Sequence, residues 1–272
     1  MSPVPWSGLF EAAAACLLAR EPDQKVALTR RAADAWNAGL LPLTNGGQVV
    51  PAGKPGRPDR PELVRPRDLP KRSPKGMKGR AALIHAVAHI EFNAINLAWD
   101  AVQRFRELPP GYYGDWVQVA AEEAYHFDLM RGRLRDLGYD YGDFPAHDGL
   151  WAMAMRTARD PLERMALIPR VMEARGLDVT PGMIERFRAA GDGATADRLA
   201  IILRDEVGHV AAGSRWFRHL CAARGLDAEA TYFALVDTYL GGEIRCPLNR
   251  ADRLRAGFDE RELARLQDLC DR

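Results

Sequence analysis

The spacing of apolar and polar positions along this chain is helical almost throughout. Apolar residues recur every three or four positions in long stretches, and no stretch shows the strict alternation of a half-buried strand. Breakers divide the pattern into segments. Ser7 to Ala19 and Asp23 to Gly39 read as two short helices separated by Pro22. Lys78 to Glu107 is a first long helix, stopped by Pro109-Pro110-Gly111, and Asp115 to Leu137 a second, ended by Gly138. A connection through Tyr139 to His147 leads to helical pattern at Leu150 to Arg159. Asp160 and Pro161 then have the residue types of an N-cap and a first helical position. That helix is expected to run to Arg175, kinked at Pro169 and stopped at Gly176. Thr180-Pro181 restarts a short helix to about Ala190, and Ala194 to Arg224 forms the last long one after Gly191-Asp192-Gly193. A helix at Ala228 to Leu240 and a helical tail from Asn249 to Cys270 complete the chain. The predicted fold class is all-α.

Leu41 to Gly76 interrupts this regularity. Its prolines, among them Pro42, Pro51, Pro55, Pro58, Pro61, Pro66, Pro70 and Pro74, exclude continuous helix or sheet. The stretch is basic, with Lys54, Arg57, Arg60, Arg65, Arg67, Lys71, Arg72, Lys75, Lys78 and Arg80 running into the next helix. Such a segment suits an arm that contacts RNA, or a strap lying over the main domain. No aromatic residues interleave its charges for base stacking, so the strap is favoured. The expected organisation is an N-terminal segment and strap over 1–77, a four-helix bundle over 78–225 and a helical extension over 226–272.

Composition changes the picture little. Hydrophobic residues make up 47% and charged residues 28%, and the formal net charge of +1 argues against a dominant polyanionic partner. Met1 to Arg20 lacks the layout of a signal peptide, and no uninterrupted apolar run reaches about 20 residues, so no membrane partner is expected. Cys16, Cys221, Cys246 and Cys270 form no Cys-x-x-Cys pair. Reduced thiols in a cytoplasmic protein are the expectation.

The candidate chemistry lies on the long helices. Glu91 sits on an apolar stripe with Ile84, Val87, Ala88, Ala94, Ile95 and Ala98. Glu123 and His126 form a Glu-x-x-His pair 32 positions after it, and residues three apart share a helix face. The same device recurs: Glu173 is followed, 33 positions later, by Glu206 and its Glu-x-x-His partner His209. One Glu-x-x-His is weak evidence. Two copies in register with two further glutamates match the ligand set of di-metal carboxylate bundles with one long crossover. Four carboxylates balance two divalent ions, and one imidazole per metal adds a nitrogen donor suited to iron. Manganese, or one manganese and one iron, would accept the same ligands. Glu122 and Asp205, each directly before a Glu-x-x-His, are candidates to orient His209 and His126 through their free ring N–H groups.

The segments around these residues, including Ala88 to Asp100, Glu122 to Phe127, Tyr141 to Trp151, Ala166 to Pro181 and Asp205 to Phe217, resemble a bacterial ferritin-like family, domain of unknown function 455. The resemblance covers about Lys78 to Leu240. It implies a ferritin-like bundle with a di-iron-type site at Glu91, Glu123, His126, Glu173, Glu206 and His209, and it implies no particular reaction.

Other polar residues offer lesser roles. His85, His89, Asn96 and Asp100 lie roughly 120–180° around the first long helix from Glu91 and are expected to form a buried network with the strap or the C-terminal helices. His147, with Asp143 and Asp148, suits either a lid or a capped loop. Tyr125 and Trp151 are candidates for electron relay, against the commoner role of core aromatics. Arg170 and Arg175 suit an anionic substrate or, more simply, neighbouring acids. His219 has no assigned role. Gly208 suggests close approach of a neighbouring helix.

The expected function is a di-iron oxidoreductase that activates O2 to oxidise or hydroxylate an organic substrate, a small metabolite or modified nucleotide, with an electron-donor protein as a further partner. The alternatives are ferroxidase or peroxide scavenging, and a non-catalytic bundle that binds metal and acts through a partner.

Overall fold

The computed structural model of the chain describes residues 5–44, 53–70 and 73–271. Pro51, Lys71 and Arg72 of the Pro/Arg-rich segment lie outside them. The described residues are helical apart from turns, connections and one isolated β-bridge, Leu63 to Ala146. The helices are α1 (Leu9–Leu18), α2 (Pro22–Asn37), α3 (Met77–Arg104), α4 (Pro110–Asp136), α5 (Gly149–Arg156), α6 (Pro161–Leu167), α7 (Ala174–Ala189), α8 (Gly193–Ala223), α9 (Ala228–Leu240), α10 (Arg250–Arg255) and α11 (Glu260–Cys270). A π-helical turn, Ile168–Glu173, joins α6 to α7. Their packing divides the chain into two compact units, Met1–Met155 and Arg156–Arg272.

In the first unit α3 and α4 pack along their length, joined by a short turn that makes them antiparallel, and α1 and α2 pack on them. Pro109 and Pro110 do not simply stop a helix: they are the cap and first residue of α4, which therefore starts earlier than Asp115. A proline at the first position loses nothing, because that N–H has no partner inside the helix. α3 is long and apolar enough to cross a bilayer, yet 83% of its most apolar stretch is buried in the protein, where it forms the core. The C-terminal carbonyls of α1 are held by the buried amine of Lys25, which donates to Cys16 O at 2.7 Å and Leu17 O at 3.0 Å. Burial lowers this amine to about 7 and raises the Cys16 thiol beside it to about 12.

The basic segment runs as a strap within this unit. Gly56 N–H donates to Leu17 O, and a Cβ on Gly56 would lie 2.1 Å from Leu18 O, so only glycine fits there. Val64 N–H donates to Ala146 O and Ala146 N–H to Glu62 O. Arg57 pairs with Asp148 at 3.2 Å, and Trp151 Nε1 donates to Gly53 O.

In the second unit α6, the π-turn and α7 pack on α8, with α9 and α10 against them. Asp160 caps α6 by accepting from Leu162 N–H, as its sequence pattern predicts. The stop expected at Gly176 and the restart at Thr180-Pro181 do not occur, because α7 continues through Pro181. The cysteines depart from expectation too: Cys246 and Cys270 form a disulfide across 24 positions, and only Cys16 and Cys221 are free thiols. Spacing alone carries no signal for this pairing. The fold does, by bringing the loop after α9 to the end of α11 with a Cα–Cα distance of 5.8 Å.

Candidate metal centre

The first unit brings the first of the two predicted ligand sets together. In this set, Glu91 of α3 and Glu123 and His126 of α4 are all buried, and their ligand atoms lie within 4.8 Å of one another. His126 Nδ1 is 3.5 Å from both Glu91 Oε2 and Glu123 Oε2. Burial, followed by the charge of Glu123, raises the Glu91 carboxyl well above the usual range. Burial alone would lower the His126 imidazole, but the adjacent carboxylates of Glu123 and Glu91 outweigh that and raise it to about 11. Two carboxylates and an imidazole thus share one buried space. The donor set fits a divalent metal, since two carboxylate oxygens and a ring nitrogen serve iron or manganese alike.

In the second unit Glu173 closes the π-turn, and Glu206 and His209 share one face of α8. All three are buried, and His209 Nδ1 lies 3.1 Å from Glu206 Oε2. Gly176, one turn after Glu173, faces Glu206: a Cβ there would lie 3.7 Å from Glu206 Cγ. The close approach predicted at Gly208 occurs elsewhere. A Cβ on Gly208 would meet nothing within 4 Å, whereas one on Gly213 would overlap the Pro169 ring at 2.2 Å. Gly213 follows Glu206 by one heptad, so it lies on the same side of α8.

The remaining candidates fall into different places. Glu122 accepts from Gln118 at 2.7 Å, and Asp205 accepts two bonds from Arg204. Tyr125 is 43% exposed, whereas Trp151 is buried. His147 Nδ1 accepts from Gly149 N–H. Arg170 pairs with Glu262 at 2.6 Å. Arg175 donates to the carbonyls of Arg245, Cys246 and Pro247. His219 is exposed, its ring 5.2 Å from that of Trp216.

The histidines opposite Glu91 do form a buried network, but with the connection after α4 rather than with the C-terminal helices. His85 Nε2 accepts from Gly142 N–H at 2.9 Å. His89 Nε2 lies 3.2 Å from the His147 carbonyl and 3.0 Å from Asn93 Nδ2. Burial, then the neighbouring His85, lowers His89 to about 3 and keeps it neutral. Its Nδ1 lies 2.9 Å from the Tyr141 hydroxyl. Sequence reasoning missed Tyr141, which lies far from His89 along the chain. Asp100 accepts from Arg104, four residues on, and Asn96 is buried with no hydrogen bond to its side-chain amide.

No solved structure matches the chain. An uncharacterised protein of Haemophilus influenzae is 47% identical over 232 residues, covering 82% of this chain and 81% of that protein. The profile of a family described as protein of unknown function, DUF455, matches residues 18–264, and the chain belongs to that family.

Proposed function

We propose that this chain is a ferritin-like di-iron carboxylate oxidoreductase that uses O2 to oxidise or hydroxylate an organic substrate, a small metabolite or a modified nucleotide. The observation that carries the reading is the buried convergence of Glu91, Glu123 and His126, with a second set of the same composition at Glu173, Glu206 and His209. Burying such carboxylates without a compensating cation is costly, and a fold serving only stability would fill these positions with apolar side chains. When bound, a pair of ferrous ions supplies two electrons and a Lewis-acidic site for dioxygen.

The chain's own residues set the conditions for this chemistry. Glu91 and Glu123 neutralise positive charge, and each Glu-x-x-His adds one imidazole donor. Trp99, Phe92 and Phe127, all buried, belong to the dry packing around α3 and α4 that limits water.

Anaerobic loading of the full chain with Fe(II), followed by metal analysis, tests the reading. Two ions per chain are expected, with at least one lost in His126→Ala and in Glu206→Ala. Absence of binding in the unaltered protein would overturn it. Admission of O2 to the loaded protein then separates the reactions. An oxygenase gives a transient absorbance that decays faster with substrate, whereas a ferroxidase releases ferric iron.

A further inference from the structure

Glu173 depends on an unusual piece of backbone. A π-turn contains one residue more than the α-helix it interrupts, so it turns everything downstream by about 100°. The turn at Ile168–Glu173 therefore decides which way Glu173 faces. Such turns are rare within helices, and the surroundings must hold this one.

The holding groups come from the C-terminal helices, and they grip the chain on both sides of Glu173. One turn before it, the fully buried Arg170 donates to Glu262 Oε1 at 2.6 Å. Its guanidinium carbon lies 4.3 Å from the ring centre of Tyr232 and 4.5 Å from that of Phe258. The Tyr232 hydroxyl donates to the Arg170 carbonyl at 3.2 Å. Five residues after Glu173, Asp178 accepts from Arg253 Nε at 2.9 Å and Nη2 at 2.7 Å. A buried ion pair contributes little net stability, because desolvation offsets most of the attraction, but its bonds have strict geometry. Two such pairs, bracketing one carboxylate, suit the holding of a direction better than the holding of a fold.

We propose that α9, α10 and α11 form a brace that positions Glu173 for metal, with Glu262 and Arg253 as positioning residues acting through Arg170 and Asp178. The proposal rests on the reading of Glu173 as a metal ligand.

Cobalt(II) titration of the full chain, followed by visible absorption, tests it. Glu262→Gln keeps the volume and removes the charge. It is expected to weaken binding of at least one ion tenfold or more and to alter the cobalt absorption bands. In a Glu173→Gln background the same change is expected to alter affinity less than twofold, since its route of action is gone. Unchanged affinity and spectrum in Glu262→Gln, or losses that multiply in the double variant, would overturn the brace. Should Glu262→Gln fail to fold, Tyr232→Phe, which deletes one hydroxyl, replaces it in both comparisons with an expected loss of threefold or more. If the unaltered chain binds no cobalt, the ligand reading fails. The brace is then tested alone by amide hydrogen exchange over residues 168–178 in metal-free Glu262→Gln: tenfold faster exchange supports it, and an unchanged rate refutes it.

Discussion

Asn249 stands in for the donor that Pro181 lacks. Inside an α-helix the N–H of residue 181 would bond the carbonyl of Leu177, and proline has none. Asn249 Nδ2 donates to that carbonyl at 3.1 Å, while Asn249 N–H donates to Asp178 at 2.8 Å. This tertiary repair lets α7 run through a residue that ordinarily ends a helix.

Asn249→Ala should therefore cost about 1–2 kcal/mol, the penalty for a carbonyl that loses its donor. Pro181→Ala restores the backbone N–H, so the cost of Asn249→Ala should shrink in that background to the loss of its cap on α10. Chemical denaturation of the two single variants and the double variant measures the coupling. Equal costs in both backgrounds would show that Asn249 does not act through Leu177.

The contact between Pro169 and Gly213 leads to a second expectation. A methyl group on Gly213 would overlap the Pro169 ring at 2.2 Å, and both residues lie on packed helical backbone. Gly213→Ala should destabilise by about 1–3 kcal/mol, as overpacked cores do, even though alanine favours a helix. Gly208→Ala, with nothing within 4 Å to meet, should be neutral or slightly stabilising. Thermal melts of the two variants compare them directly.

Acid sensitivity should trace in part to Asp160. Burial alone would raise its carboxyl, but the bonds from Arg224 and from Leu162 N–H outweigh that and lower it. A carboxyl lower in the folded state than in the unfolded chain stabilises above the unfolded value, which lies near 3.8. That contribution is lost as pH falls through the lower folded value. Asp160→Asn should therefore reduce stability at neutral pH and flatten the loss below about pH 4. Denaturant midpoints from pH 3 to 7 give the comparison.

Reduction of the Cys246–Cys270 disulfide should destabilise the protein by about 3.5 kcal/mol, the chain-entropy figure for a loop of this length. Cys246→Ser should behave like the reduced protein and no longer respond to dithiothreitol. Thiol titration under denaturing conditions should find two free thiols before reduction and four after.

Several features were legible in the residues alone. The helical period marks α3, α8, α9 and the end of α4 to within a few residues, because a buried helix face repeats its apolar positions locally. Asp160 and Pro161 mark the start of α6, since a cap is a contact between near neighbours. The duplicated Glu and Glu-x-x-His spacing also picks out Glu91, Glu123 and His126 before any coordinates show them together, because residues three apart on a helix must share a face. What only the tertiary structure decided depends on residues distant in sequence. The continuation of α7 through Pro181 requires Asn249, and the burial of Arg170 requires Glu262 and aromatic rings from three other segments. The neutral state of His89 requires burial beneath the connection after α4 and the neighbouring His85. The disulfide requires the end of α11 to meet the loop after α9. Local periodicity reports which face of each helix is apolar, but partners dozens of residues away are chosen by packing, and that choice leaves no mark in the spacing.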